Sequence, residues 1–551
     1  MQKKQTILVV ASLLVVVLSV TLAYFTAQII GKGKNVTINS ADLKIIFTDS
    51  DGSISGTNIE PGKWNVTKTF TIENKSNETY KYNIVIQNLI NTFVTNGYLQ
   101  YKITSTNGGY NMTEFKDVPK SETATDTILA YSVSIPVGVT QSYTVEFKYS
   151  NDESVDQSDD MGKKLSGKLF ITEGTKEPVT LLSQILKDNP TIQTRTDFDT
   201  TFTETNTGTL YKATESIAGN TPKDVYYFAG DAKNNWVKFG KYQNDLIRYR
   251  GYYNSTTTTD YHEYSTMDEC TSASSYNINC TEYKYANTGD DIYWRIIRTN
   301  HDGSIKLLYA GISPDTKSGY IGTSAFNSTY NDPMYAGYMY GTSGSLDSNR
   351  TNTNNSTIKT HIDNWYNNNL SSYSKYISTE AVYCNDRELA PGKKYSTSST
   401  IYYAPYGRLK TNKTPTYNCT NNKDAFSGNN SEAKLTYPIG LMTADEIAYS
   451  GGKYDTNLPN PYAWYYLNSA GESITGSTEW WSLSPGGRNV AYSFVWIVNG
   501  SGYPGKLSNY SVGSASSGAR PAISLKSCIK YTTGDGAPET PYEIVETSSG
   551  C

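Results

Sequence analysis

The first pattern in the chain is a long apolar run. From Ile7 to Phe25 no residue is charged, and Lys3 and Lys4 precede it. As a helix this run would be about 28 Å long at ~1.5 Å per residue, close to the ~30 Å hydrocarbon core of a bilayer. Ser12, Ser19 and Thr21 interrupt it without forming a stripe, which argues against a buried core helix. Cations before the run place the N-terminus inside and the rest of the chain outside. Small residues at Ala23 and Ala27 favour cleavage, so residues 1–27 are expected to be a signal peptide. If they are retained, residues 7–25 anchor the chain in a membrane. Neither a second spanning run nor a C-terminal Leu-Pro-x-Thr-Gly signal follows.

Beyond it the pattern changes to period two. Alternation is clear in Leu43–Phe47, Thr67–Ile72, Tyr82–Ile86, Tyr131–Ile135, Tyr143–Phe147 and Leu165–Ile171. Turn residues separate these runs and helical periodicity is absent, so residues 33–172 are expected to form an all-β sandwich. The acidic stretch Asp152 to Asp160 reads as a solvated loop before its last strand. Residues 173–222 read as a connector with one short helix, Val179 to Lys187.

A second domain is predicted over residues 224–545. Val225–Phe228 and Trp236–Phe239 read as short strands around an Asn234-Asn235 turn. Ile292–Arg298 and Ile305–Tyr309 read as a hairpin, because the Asp302-Gly303 turn suits positive φ. Ile358, Ile362, Trp365, Tyr366 and Leu370 fall on one face of a helix. Thr443-Ala444-Asp445-Glu446 is a capping box that opens another. The stretch 241–290 is a polar insertion, read as a loop that needs a disulfide to hold it. The fold class is therefore multidomain, an all-β sandwich followed by an α+β domain.

Composition narrows the chemistry. About 525 residues beyond the apolar run exceed what one core usually organises. A net charge of −4 gives no electrostatic case for nucleic acid as a partner. Charged residues are 18% of the chain and tyrosines number 48, a balance suited to exposed recognition surfaces or imposed by AT-rich codons. The six cysteines are Cys270, Cys280, Cys384, Cys419, Cys528 and Cys551. None is spaced Cys-x-x-Cys, so zinc and thioredoxin-like chemistry lack support. Outside the cytoplasm an even count suggests disulfides. Fifteen pairings are open; neighbour pairing is the expectation, and free thiols are the alternative.

The candidate site lies near the C-terminus. Between Glu479–Pro485 and Gly518–Leu525, residues 489–517 carry one charge, Lys506, and Tyr, Ser, Gly and Asn make up 17 of the 29. That is the composition of antibody recognition loops, in which Tyr supplies contact area and Ser, Gly and Asn adapt their hydrogen bonds. A plain surface loop is the competing reading.

Two resemblances extend this. Leu22-Ala23-Tyr24-Phe25-Thr26, Ala41-Asp42-Leu43, Ile59-Glu60-Pro61-Gly62 and Thr67–Asn74 resemble the camelysin/TasA-like secreted proteins of Gram-positive bacteria. That resemblance implies export through a dedicated signal peptidase and a jelly-roll- or Ig-like sandwich, which in some relatives assembles into fibres. Others are reported as metalloproteases, but this stretch has no His, so that activity is not carried over. Tyr227-Phe228, Tyr293–Arg298, Ile362–Tyr366, Cys384–Arg387, Gly440–Ile447, Trp480–Pro485 and Arg520-Pro521 resemble the C-type-lectin-like domains of gut Firmicutes surface proteins, some diversified by retroelements. On the diversified pattern the ligand-facing residues are Asn489, Tyr492, Ser493, Ser501, Tyr503, Ser508, Asn509, Tyr510, Ser511, Ser514, Ser516 and Ser517.

Catalysis has little support. Calcium-dependent sugar motifs of the Glu-Pro-Asn and Trp-Asn-Asp kind are absent; Asn331-Asp332-Pro333 and Leu458–Pro461 read as turns. A formylglycine-type enzyme would need a reactive cysteine pair. His262, His301 and His361 read as exposed structural residues, not as the positioned base of a triad. Neither cofactor nor metal is expected. The sequence therefore predicts an exported, non-enzymatic envelope or secreted protein. Its partner would be a protein or glycan on a host, phage or bacterial surface, with self-assembly through the sandwich. A structural matrix protein is the alternative.

Overall fold

The computed structural model describes residues 36–38, 41–47, 52–55, 59–75, 79–174, 179–203, 209–256, 261–458, 462–547 and 550–551. The apolar run 7–25 and the expected cleavage site near Ala23 to Ala27 lie outside the described residues. The chain divides into two compact units, Met1–Pro178 with Thr547–Ser549, and Val179–Glu546 with Gly550–Cys551. Both are rich in β-structure. Among the described residues no helix is long and apolar enough to cross a membrane.

Among the described residues the first unit has nine strands: β1 (Val36–Ile38), β2 (Ala41–Phe47), β3 (Asn65–Asn74), β4 (Tyr80–Asn91), β5 (Leu99–Ser105), β6 (Lys116–Asp117), β7 (Ser121–Ile135), β8 (Thr140–Tyr149) and β9 (Leu165–Glu173). They form a six-stranded sheet, β1-β2-β3-β8-β5-β6, and a three-stranded sheet, β7-β4-β9. Along β8 every second residue is buried, from Gln141 to Tyr149, because successive side chains point to opposite faces. These residues share one core with Ile84, Ile86, Leu169 and Ile171 of the other sheet. The two sheets are also bridged by polar contacts: the hydroxyls of Tyr82 and Tyr143 lie 2.5 Å apart, and Tyr82 donates to Gln141 Oε1 at 2.5 Å. The acidic loop is not wholly solvated. Asp160 is buried and accepts from Val94 N at 2.6 Å and from the Tyr149 hydroxyl at 2.8 Å.

In the second unit the main sheet combines β10 (Gln193–Thr194), β11 (Leu210–Glu215), β12 (Lys223–Phe228), β13 (Trp236–Lys241), β17 (Asp291–Thr299), β18 (Ile305–Gly311), β24 (Gly440–Leu441) and β28 (Pro521–Leu525). Its order is β10-β11-β12-β17-β18-β28-β24, with β13 also paired to β17. The β17–β18 hairpin turns at Gly303, whose φ is +79°, as the Asp-Gly pair requires. In contrast, β12 and β13 do not pair around Asn234-Asn235. Both pair with β17, Tyr227 opposite Arg298 and Trp236 opposite Arg295. Helix α1 (Leu181–Asp188) lies where the connector helix is expected, but residues 210–215 are a sheet strand rather than connector.

The polar insertion also folds. Strands β14 (Leu246–Tyr252), β15 (Tyr261–Tyr264) and β16 (Ile278–Ala286) form a sheet of order β15-β14-β16, flanked by helix α2 (Met267–Ser272). A buried ion pair, Arg248 Nη1 to Glu263 Oε2 at 2.9 Å, sits inside it. Two short ribbons follow, β19 (Met339–Tyr340) with β20 (Asn354–Asn355) and β21 (Tyr383–Cys384) with β23 (Ala425–Phe426). Helix α3 (Thr357–Asn369) buries Ile358, Ile362, Trp365 and Tyr366 and starts at the Ser356 cap. Helix α4 (Ala444–Tyr449) starts at the Thr443–Glu446 capping box. Disulfides join Cys270–Cys280, Cys384–Cys419 and Cys528–Cys551, the neighbour pairing, with Cα–Cα distances of 6.1, 5.8 and 5.6 Å. They point to an oxidising, extracytoplasmic setting.

Candidate functional site

The stretch 489–517 belongs to a separate antiparallel sheet of order β22-β25-β26-β27. It is made of β22 (Ile401–Tyr402), β25 (Trp480–Arg488), β26 (Ser493–Val498) and β27 (Leu507–Ser511). All of β25 is buried, whereas β27 lies at one edge, its outer side bonded at Leu507 to Lys453 and Asp455. The β25–β26 turn is built by Asn489, whose Oδ1 accepts from Ala491 N at 2.8 Å and Tyr492 N at 2.7 Å. This is the local bonding that makes Asn a turn former. Val490 is 71% and Tyr492 44% exposed there, and Tyr492 packs 5.3 Å from Tyr330.

The next turn, 499–506, holds exposed Ser501 and Tyr503, with Lys506 Nζ 4.3 Å over the Tyr503 ring. Tyr492 and Tyr503 therefore stand at opposite ends of β26, about 20 Å apart at ~3.4 Å per residue. They do not form one patch. Alternation divides β27 as well: Ser508 and Tyr510 lie opposite Ile497 and Val495, while Asn509 and Ser511 lie opposite Trp496 and Phe494. Ser508 Oγ donates to Asn499 Oδ1 at 2.6 Å. Ser514 and Ser516 are half-buried in the following loop, their hydroxyls 3.3 Å apart. Two expected ligand-facing residues are instead fully buried. Ser493 Oγ donates to Asp332 O at 2.6 Å and Ser517 Oγ to Glu479 Oε1 at 3.1 Å, so both serve the scaffold.

On the Trp496–Asn509 side the sheet carries aromatic residues that the sequence reading did not single out. Tyr402 and Tyr406 stack at 4.1 Å, and Tyr406 and Tyr454 meet at 5.9 Å. Trp496 lies 6.2 Å from Tyr406 and 5.4 Å from Tyr454. The three tyrosines are half-buried and Lys410 is exposed, with its Nζ 2.8 Å from the Tyr406 hydroxyl. Trp496 Nε1 and Asn509 Oδ1 are buried without a hydrogen-bond partner among the described residues. An unpaired donor and acceptor under flat rings is a surface for stacking and hydroxyl bonding, not for proton transfer. In a chain of 48 tyrosines, no local cue marks these three.

The densest charged cluster is elsewhere. Glu446 Oε1 meets Arg298 Nε at 2.8 Å and Lys306 Nζ at 2.7 Å, and Arg298 also meets Glu215 at 2.8 Å. Burial works against the Glu215 charge, but Arg298 and His301 hold its pKa down to about 2. The adjoining cavity is about 20 Å³, room for a water but not for a substrate. Asp332 caps a short turn of helix, accepting from Met334 N at 2.9 Å. Pro459, Asn460 and Pro461 lie outside the described residues. His262 stacks on Tyr276 at 3.8 Å, and His301 Nδ1 lies 3.6 Å from Glu215. His361 departs from the expected exposed residue: its Nε2 is buried, and burial, then Arg248, push its pKa down to about 4. No group of three or more His, Cys, Asp or Glu among the described residues is arranged to hold a metal. Neither a family model nor a curated protein matches the chain.

Proposed function

We propose that the chain is an exported bacterial surface-binding protein that recognises a protein or glycan through the four-stranded sheet of its second unit. In this reading the first unit is a jelly-roll- or Ig-like sandwich that serves as stalk or assembly module. The second is an α+β C-type-lectin-like domain. The residue resemblances support both assignments, and the disulfides support an envelope or secreted location.

One observation carries the reading. Tyr406 and Tyr454 flank Trp496 with Tyr402 stacked on Tyr406, and Trp496 Nε1 and Asn509 Oδ1 have no partner among the described residues. Stacking rings supply rigid contact area, and polar groups with unmet bonds supply orientation. Asn489, Tyr492, Ser501, Tyr503, Ser511, Ser514 and Ser516 would extend the surface over the loops and edge strand, and Ser508 and Tyr510 would offer the other side of the sheet. If they are hypervariable, coding differences among close strains concentrate in codons 489–517; differences spread evenly over the domain reject that part.

The test is a screen of the exported chain against arrayed glycans and envelope proteins. For any ligand found, Tyr406→Ala with Tyr454→Ala should weaken binding about tenfold or more, one order in Kd. The triple variant Tyr492→Ala, Tyr503→Ala, Tyr510→Ala reports the loops. Binding undiminished in both variants rejects the face, and fibres formed without any ligand favour a matrix role.

A further inference from the structure

A larger cleft opens elsewhere in the second unit, and it shares no residue with the aromatic sheet face. Its volume is about 490 Å³, and it runs between residues 231–236, 464–471 and 537–539. That is within the usual range for small-molecule sites. The large side chains of Trp236, Arg295 and Trp464 in its lining are buried, at 1%, 2% and 0% exposure. The Arg295 guanidinium lies 4.1 Å from the Trp236 ring centroid and 5.6 Å from that of Trp464.

The partners of Arg295 are all neutral. Nε donates to Asn235 Oδ1 at 2.6 Å, Nη2 to Ala232 O at 2.7 Å and Nη1 to Leu467 O at 3.2 Å. These use three of the five N–H groups a guanidinium has. Four other deeply buried cations of this unit meet carboxylates: Arg248 meets Glu263, Arg298 meets Glu215 and Glu446, Lys306 meets Glu446, and Arg387 meets Asp424, whereas Arg488 meets only the carbonyls of Asn331 and Val490 among the described residues. Arg295 has no such ion pair among the described residues. Arg520, bonded among the described residues only to the carbonyls of Tyr309 and Tyr465, adds a further uncompensated charge nearby. Burial, then Arg520, pull the Arg295 pKa down to about 9, against a weaker pull from Asp231. A buried cation without a counter-charge is costly. The Trp236 indole N–H, beside it in the cleft, makes no hydrogen bond among the described residues either.

We propose that this cleft binds a small organic carboxylate. The anion would meet the remaining Arg295 N–H groups and Trp236 Nε1, and the apolar body would lie against the two indoles. A ligand carboxylate supplies the missing charge in the geometry a guanidinium favours. At the rim Asp231 and Lys233 pair at 3.5 Å, and Glu539 is exposed. These acids favour a ligand with one small anionic group over a polyanion.

The experiment is a calorimetric and tryptophan-fluorescence titration of the exported chain with benzoate, benzamide and inorganic phosphate. Benzoate should saturate in the millimolar range or below and bind about tenfold more tightly than benzamide or phosphate. Ser469→Trp, at the exposed mouth of the cleft, should abolish that binding and leave the melting temperature unchanged. Arg295→Lys should weaken it; if that variant fails to fold, Ser469→Trp decides alone. Equal binding of benzoate and benzamide, no saturation by benzoate, or full benzoate binding by Ser469→Trp overturns the proposal.

Discussion

The two units hold themselves together by different means. In the first, alternating strands bury one apolar face, and its ion pairs among the described residues, Lys63–Glu60 and Lys75–Glu73, lie on the surface. It contains neither Cys nor His. The second buries whole charge networks, Arg298 with Glu446 and Lys306, and Arg387 and Arg350 with Asp424, and staples itself with three disulfides. Regular strands need no more than the hydrophobic effect and their own ladders. Long segments with little periodicity need directional contacts to fix a single path. Burying charge does not in itself stabilise, but removing one partner from a buried network is severe.

The sharpest way to break this contrast is Glu446→Gln. It leaves Lys306 and Arg298 without the carboxylate that joins them. The second unit should lose roughly 3–5 kcal/mol while the first is unaffected. Tryptophan emission reads this selectively, since Trp64 is the first unit's one tryptophan of the eight; an unchanged urea midpoint would contradict it. Next, Cys384→Ser with Cys419→Ser opens a loop of sequence separation 35, at a cost of about 2–4 kcal/mol. Reducing agent should likewise lower only the second unit's calorimetric transition, and a matching fall in the first would void the comparison.

Acid should separate the units more gently. Glu215 has its folded pKa depressed from 4.5 to about 2, so its contribution is complete above pH 4.5 and lost as pH falls from there towards 2. In the first unit, burial opposes the Asp160 charge, yet the N–H groups of Val94 and Thr95 and the Tyr149 hydroxyl hold its pKa below 3.8. That contribution is intact above 3.8 and fades only below it. Scanning calorimetry from pH 7 to pH 3 should therefore show the second unit weakening first. The reverse order would mean that these two carboxylates do not govern acid stability.

What could be read locally came from short periods and short motifs. Thr67–Ile72 and Tyr82–Ile86 alternate and lie within β3 and β4. Ile358, Ile362, Trp365 and Tyr366 repeat at helical spacing and lie on the buried face of α3. Thr443 and Glu446 are close enough in sequence to specify their own cap, but the second role of Glu446, binding Arg298 and Lys306, depends on residues more than a hundred positions away. The insertion around Arg248 and Glu263 looked too polar to fold because its stabilising pair is invisible until β14 and β15 align. At the candidate site, composition marked Tyr492, Tyr503 and Tyr510 but could not tell that two hairpin turns would carry the first two apart.

By itself, the sequence determined the alternating strands of the first unit, the β17–β18 hairpin and helices α3 and α4 with their capping and turning residues, and that the second unit concentrates cysteine and tyrosine. Those properties follow from the backbone's own periods and from side chains bonding within a few residues. Only the tertiary structure decided that Ser493 and Ser517 are scaffold, that Tyr406 and Tyr454 flank Trp496 with Tyr402 stacked on Tyr406, and that Arg295 lies buried in a cleft with no ion pair among the described residues. Each depends on segments distant in the chain meeting in one place. Packing, and not any local period, determines which of them meet.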